Sequence, residues 1–190
     1  MSRPVLQVIA ASTRPARRGF AVARWFQQRA EEHGSFDVEL VDLAEVGLPL
    51  MDEPKHPMLQ QYAHQHTRDW SATVSRADAF VFVTPEYNHS FPAPLKNALD
   101  FLFAEWADKA AGIVSYGGVS AGLRSATALK PVLISLRMVP VVEYVSVPFF
   151  AQFIDDAGEF VPNAELEVGA KGMLTELHRI TGALRTLRAT

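Results

Sequence analysis

Five short apolar runs, each followed by a helix-length stretch, constrain the fold of this chain more than any other feature of it. Val5–Ala11, Phe36–Val41, Ala79–Thr84, Gly112–Tyr116 and Val139–Val147 are rich in β-branched, aromatic or small apolar residues and too short for typical helices. Between them, Phe20 to His33 carries Val22, Phe26 and Ala30 at four-residue spacing and stops at Gly34, a residue suited to a helix C-cap. Leu59 to Arg76 reads as a polar, solvent-facing helix. Ala93-Pro94 opens the next, with proline where a first turn tolerates it, and Ala121 to Arg137 follows, kinked at Pro131. From Glu165 onward, Leu166, Ala170, Met173, Leu174, Leu177, Thr181, Leu184 and Leu187 share one helical face. Such alternation predicts a parallel sheet with helices on both faces rather than separate sheet and helix layers. Pro148 to Asn163 is a long irregular stretch of the kind that often serves as a lid. With 190 residues, about half of them apolar, the chain suits one domain, residues 1–190, with a full core.

Composition narrows the function. The formal charge is −3 and the lysines and arginines are scattered, so neither a nucleic-acid footprint nor a polybasic membrane patch is indicated. No cysteine is present, which removes disulfides, thiolate clusters, a catalytic thiol and a redox Cys pair, so any redox chemistry comes from a borrowed cofactor. The N-terminal apolar run is too short for a signal-peptide core and nowhere do eighteen apolar residues run together. The expectation is a cytoplasmic protein with a small ligand and no membrane insertion.

Three loops follow the first, third and fourth apolar runs, where an open α/β sheet holds its ligand. The first, Ser12 to Ala21, is rich in small and hydroxylated residues and leads into a helix. Free backbone amides, a helix dipole and nearby arginines make such a turn an anion site, with Ser12 and Thr13 adding hydroxyls and Arg14 and Arg17 planar cations. It lacks both the G-x-G-x-x-G of a dinucleotide fold and the Gly-Lys-Ser/Thr of a P-loop, so a monophosphate cradle is the reading preferred, with solvated loop charges beside a helix cap as the alternative. The second loop, Pro85-Glu86-Tyr87-Asn88, combines a fixed backbone angle with an asparagine that tolerates positive φ, and would offer amides and carbonyls along a flat heteroaromatic edge, although read alone such a tetrapeptide is better taken as an ordinary connecting turn. The third, Ser115 to Gly122, has three glycines that let backbone approach a ligand closely.

That third loop also matches G-x-S-x-G from Gly118 to Gly122, which would make Ser120 a hydrolase nucleophile. The only histidine downstream is His178, inside an amphipathic helix, and no oxyanion loop of the His-Gly-Gly-Gly type occurs. His56, His64 and His66 suggest no metal site, since i and i+2 residues of a helix face different ways and no His-Glu-x-x-His or cysteine supports them. Phe91, Phe101, Phe103 and Trp106 spread over more than one helical face, which points to a homodimer interface that buries some of them and forms part of the ligand pocket's wall, with simple core packing as the alternative.

Taken in order, Ala11-Ser12-Thr13-Arg14, then Thr84 to Asn88 with Pro92, Leu95-Lys96-Asn97-Ala98 and Asp100, then Ser115-Tyr116-Gly117-Gly118 resemble the NADPH-dependent FMN reductases over most of the chain. The resemblance implies a flavodoxin-like three-layer α/β/α sandwich with a five-stranded parallel sheet of order 2-1-3-4-5. It implies FMN as cofactor and NADPH or NADH as co-substrate, with Ser12, Thr13, Arg14, Arg17 and the Gly19-Phe20-Ala21 helix start holding the phosphate. Pro85, Glu86, Tyr87 and Asn88 would line the isoalloxazine edge, Ser115, Tyr116, Gly117 and Gly118 would lie on its other side, and an amide of the Glu86 to Asn88 turn would face flavin N5. Phe149, Phe150 and Phe153 would cover the pocket. Ala11 and Ala121 stand where the family often has glycine. No catalytic acid or base is required, because hydride passes between cofactors and the protein's task is positioning. By the same resemblance, a small acceptor (flavin, quinone, azo compound or metal oxyanion) would take the hydride by a ping-pong scheme, in a homodimer or dimer of dimers. A flavodoxin-type electron carrier would share the fold and FMN, but such carriers are strongly acidic.

Overall fold

The computed structural model describes residues 3–188 and forms one mixed-length parallel sheet flanked by helices. In chain order it runs β1 (Val5–Ala10), α1 (Gly19–His33), β2 (Asp37–Asp42), a single-turn α2 (Leu43–Val46), α3 (Gln65–Ser75), β3 (Ala79–Pro85), α4 (Ala93–Asp100), β4 (Ala110–Tyr116), α5 (Leu123–Ser135), β5 (Val139–Pro140), β6 (Val145–Val147) and α6 (Ala164–Arg188). The order β2-β1-β3-β4-β5 is the one the resemblance implies, with β6 on the same edge of β4.

Side-chain alternation explains why both faces are covered. Leu6, Val8 and Ala10 of β1 and Ala79, Val81 and Val83 of β3 face α1 and α6, where Val22, Phe26, Met173, Leu174 and Leu177 meet them. Ile9 and Ala11, with Phe80 and Phe82, face the opposite core of Trp70, Leu95, Leu99, Trp106, Leu129 and Leu133. β3 and β4 are buried at every position, as central strands of a doubly covered sheet must be. Gly34 caps α1 in the left-handed region at φ 75°, its amide reaching Glu31 O at 3.1 Å.

Four sequence expectations change. The helix read over Leu59 to Arg76 begins at Gln65: Gln60 turns left-handed at φ 51°, and Glu53 accepts from the Ala63 and His64 amides, closing the chain into a strap before the helix. His64 therefore sits at the cap rather than inside the helix, and its ring stacks on His66 at 5.2 Å instead of facing away. The fifth strand is interrupted: Ala111 pairs with Pro140 and Val114 with Val145, so the edge strand carries two more residues than its partner and bulges outward at Val142, Glu143 and Tyr144. The aromatic cluster is core rather than interface: Phe101 and Trp106 are fully buried, Trp106 meeting Trp70, Phe80 and Phe82, and Phe91 and Phe103 pack against the same cluster. Exposed apolar side chains lie elsewhere, Leu50, Met58 and Leu59 among them. No helix among the described residues is long and apolar enough to cross a membrane.

Candidate active site

Register brings three loops to one sheet edge. Ala10 aligns with Val83, Thr84 with Ser115 and Pro85 with Tyr116, so β1, β3 and β4 end together and the segments after them enclose a cleft of about 690 Å³. Ser12, Arg14, Arg17 and Gly19 line one end, with Pro85, Glu86, Tyr87, Tyr116, Gly117 and Gly118 along the rest. Sequence reasoning missed Pro15, Ala16, Arg18, Ala151 and Gln152. The first three lie inside the loop already singled out; the last two belong to a 3-10 turn, Phe150–Phe153, whose approach depends on long-range contacts.

The loop after β1 is held loosely. Apart from Pro15, which has no N–H to give, the backbone amides from Ser12 to Arg18 donate no hydrogen bond among the described residues, and Ala16 sits left-handed at φ 53°. Arg14 and Arg18 are exposed and, among the described residues, have no ion-pair partner. Arg17 is different. It is tied to the buried Asp42, lies 5.2 Å over the Phe20 ring, and leaves its Nε buried with no hydrogen-bond partner among the described residues. Asp42 also caps α2, accepting from the Ala44 amide at 3.0 Å. Thr13 faces a neighbouring apolar pocket beside Leu43 and Pro94, Phe20 packs against the core, and Ala21 turns toward Arg24 and Trp25, so none of these three reaches the cleft.

The loops after β3 and β4 are held tightly by their own backbone. Tyr87 and Ser90 exchange two hydrogen bonds of 2.9 and 3.0 Å around Asn88 and His89, both at positive φ, which is a type I′ turn and the reason an asparagine suits it. The Glu86 amide donates to Tyr116 O at 3.2 Å, so of the three amides expected to face flavin N5 two are engaged within the protein and only that of Asn88 is unengaged. Asn88 itself stands outside the cleft lining. The Glu86 side chain turns away, accepting from Ser120 Oγ at 3.0 Å, the Arg124 amide at 3.1 Å and the Arg124 guanidinium at 2.8 Å. Burial pushes its pKa up, but the bonds from Arg124 and Ser120 prevail and hold the carboxyl below its usual range. It thereby anchors the first turn of α5.

Ser115 is fully buried, bonded to Ala121 O and Ser146 Oγ, and does not reach the cleft. Gly122 is required: at φ 77°, a Cβ there would fall 2.7 Å from Tyr116 N. Phe149 and Phe150 form the remaining wall, their amides donating to the Gly118 and Gly117 carbonyls, while Phe153 packs on Phe160 instead. The nucleophile reading of Ser120 loses its partners, since that hydroxyl serves Glu86 and His178 lies edge-on to Phe36 across the sheet.

Sequence comparison decides the family. The description NADPH-dependent FMN reductase fits residues 5–152. The chain belongs to the NADPH-dependent FMN reductase family. It is similar to an NAD(P)H-dependent FMN reductase of Schizosaccharomyces pombe, 38% identical over 164 residues covering 83% of this chain and 82% of the relative. A probable NADPH:quinone oxidoreductase of rice, Oryza sativa subsp. japonica, is 38% identical over 72% of this chain and 71% of its own length. Among solved structures, the flavoenzyme NAD(P)H:(acceptor) oxidoreductase of Paracoccus denitrificans superposes with a TM-score of 0.74 at 20% identity over 95% of this chain and 98% of that one, a likeness of fold.

Proposed function

We propose that this member of the FMN reductase family is an NAD(P)H-dependent oxidoreductase that holds FMN in the cleft and delivers reducing equivalents to a small acceptor such as a flavin, quinone, azo compound or metal oxyanion. One observation carries the reading: the cleft is chemically two-ended. Unbonded amides from Ser12 to Arg18, the unpaired Arg14 and Arg18 and the orphaned Arg17 Nε supply donors for a phosphate, which the residues present therefore fit. At the other end the rigid Pro85 to Tyr87 and Gly117 to Gly118 backbone offers a flat wall, and a Cβ at Gly118 would meet nothing within 4 Å.

When bound, the flavin supplies the hydride chemistry. The chain's own contribution is to grip the phosphate, fix the ring against the two glycines, keep one face open to nicotinamide and then to acceptor at roughly 3 to 3.5 Å, and exclude water with Phe149 and Phe150. No side chain of the cleft is assigned as acid or base. Successive use of one open face implies ping-pong kinetics. We read the chain as a single domain, cytoplasmic, and as a homodimer or dimer of dimers, the last supported by the exposed Leu50, Met58 and Leu59. Steady-state oxidation of NADPH by protein reconstituted with FMN, with a quinone as acceptor, tests the proposal. Parallel double-reciprocal lines are expected; flavin binding without turnover would instead make the chain an electron carrier.

A further inference from the structure

Tyr116 ends β4 and is 4% exposed, yet its hydroxyl does not belong to the ring end of the cleft. It reaches the loop after β1. A Cβ built on Gly19 would lie 1.8 Å from the Tyr116 hydroxyl oxygen and 2.2 Å from Cζ, so the phenol occupies the space any side chain at position 19 would need. Ser12 lines the same cleft as this phenol, and its Oγ lies 3.1 Å from the Tyr87 hydroxyl. The segment whose amides are unbonded runs from Ser12 to Arg18, immediately before Gly19, so the Tyr116 hydroxyl stands at its end.

We propose that the Tyr116 hydroxyl is a phosphate donor, hydrogen-bonding the terminal phosphate of FMN and making the site select FMN over unphosphorylated riboflavin; this rests on the reading of the cleft given under Proposed function. Three features support the assignment. Arg14 and Arg17 line the same cleft as Tyr116, so cations and hydroxyl face one cavity. Burial, with the nearby Tyr87, pushes the phenol's pKa above its ordinary value, which keeps the proton available for donation. The ring is fixed from the far side by Phe150, centroids 4.9 Å apart, so the hydroxyl is aimed before the ligand arrives.

Flavin fluorescence titrations of wild type and Tyr116→Phe with FMN and with riboflavin test this. Loss of a charge-assisted donor predicts about a tenfold or greater drop in FMN affinity with riboflavin affinity unchanged. Equal losses for both flavins, or no loss, would overturn the assignment while leaving the cleft's function intact. A wild type that binds riboflavin but gains nothing from the phosphate would overturn it too, and a wild type that binds neither would bring down the functional reading itself. Phenylalanine keeps the ring that packs on Phe150, so the variant is expected to fold. Protein carrying 13C at tyrosine Cζ, with the Tyr116 resonance assigned by its loss in Tyr116→Phe, gives a second readout: FMN moves that resonance further than riboflavin does, and a response identical for both flavins would count against the proposal.

Discussion

The two ends of the cleft are built on opposite principles. At the ring end the backbone satisfies itself: Tyr87 and Ser90 bond each other, Glu86 bonds Tyr116, and Phe149 and Phe150 bond the two glycine carbonyls. At the phosphate end the amides from Ser12 to Arg18 are left open, with two unpaired arginines beside them. A flat aromatic ligand needs a wall that does not yield, whereas a phosphate needs donors not already engaged. Mutations at the ring end are therefore expected to register in stability, and those at the phosphate end in ligand affinity.

The largest effect expected is at Gly122. An alanine there combines left-handed strain with a contact below 3 Å to the Tyr116 backbone, and Gly122→Ala is predicted to cost roughly 3 kcal/mol or more in urea unfolding. A loss under about 1 kcal/mol would mean the loop repacks easily and the ring end is not rigid.

Arg14→Ala probes the other end. FMN affinity is expected to fall ten- to hundredfold, about 1.5 to 3 kcal/mol, with the melting temperature unchanged because Arg14 is exposed and unpartnered. Arg17→Ala marks the limit of the comparison: it strands the buried Asp42 and should lower stability as well as affinity. If Arg14→Ala also destabilised the protein, the separation between the two ends would be lost.

Glu86 sharpens the comparison through pH. Its carboxyl is held below the ordinary range, so the stability it provides is complete above that range and is lost as acid protonates it. Glu86→Gln is expected to cost roughly 1 to 2 kcal/mol at neutral pH, the exposed half of the Arg124 pair counting for little. Unfolding curves of the two proteins should converge on acidification below the usual carboxylate pKa. A gap that widens toward low pH would contradict the role given to this residue.

Much of this was legible from the chain. The short, near-continuous apolar runs Val5–Ala10 and Ala79–Pro85 and the capping glycine at 34 carry the layers, and small or cationic residues after three strands carry the cleft. What could not be read depends on partners distant in sequence. Nothing local says that the Glu86 carboxylate turns to Ser120 and Arg124, 34 and 38 residues away, or that Ser115 is consumed by Ser146. Nor does a tyrosine in a Ser-Tyr-Gly-Gly run reveal that its hydroxyl fills the place of a side chain at Gly19. The bulge after Pro140 and the late start of α3 escaped for the same reason: both are set by register and by the Glu53 contacts rather than by propensity.

The smallest expected effects separate the ends most finely. Ala16 and Ala121 both sit left-handed at φ 53°, where glycine carries no Cβ penalty. Ala121 is buried in a bonded turn, its amide donating to Gly118 O and its carbonyl accepting from Ser115 Oγ, so its strain is locked into the folded state. Ala121→Gly is accordingly predicted to raise stability by less than about 1 kcal/mol, the relief being partly offset by the greater freedom of glycine in the unfolded chain. Ala16 is exposed in a loop without internal amide bonds, and there the same substitution is expected to leave the melting temperature unchanged and to weaken FMN binding two- to threefold, a free-energy change of roughly half a kcal/mol, by loosening the donor array before the phosphate arrives. Paired thermal melts and FMN titrations decide it. Identical responses of the two variants would show that one loop is no more pre-arranged than the other, and the contrast between a self-satisfied wall and an open cradle would fail at its most sensitive point.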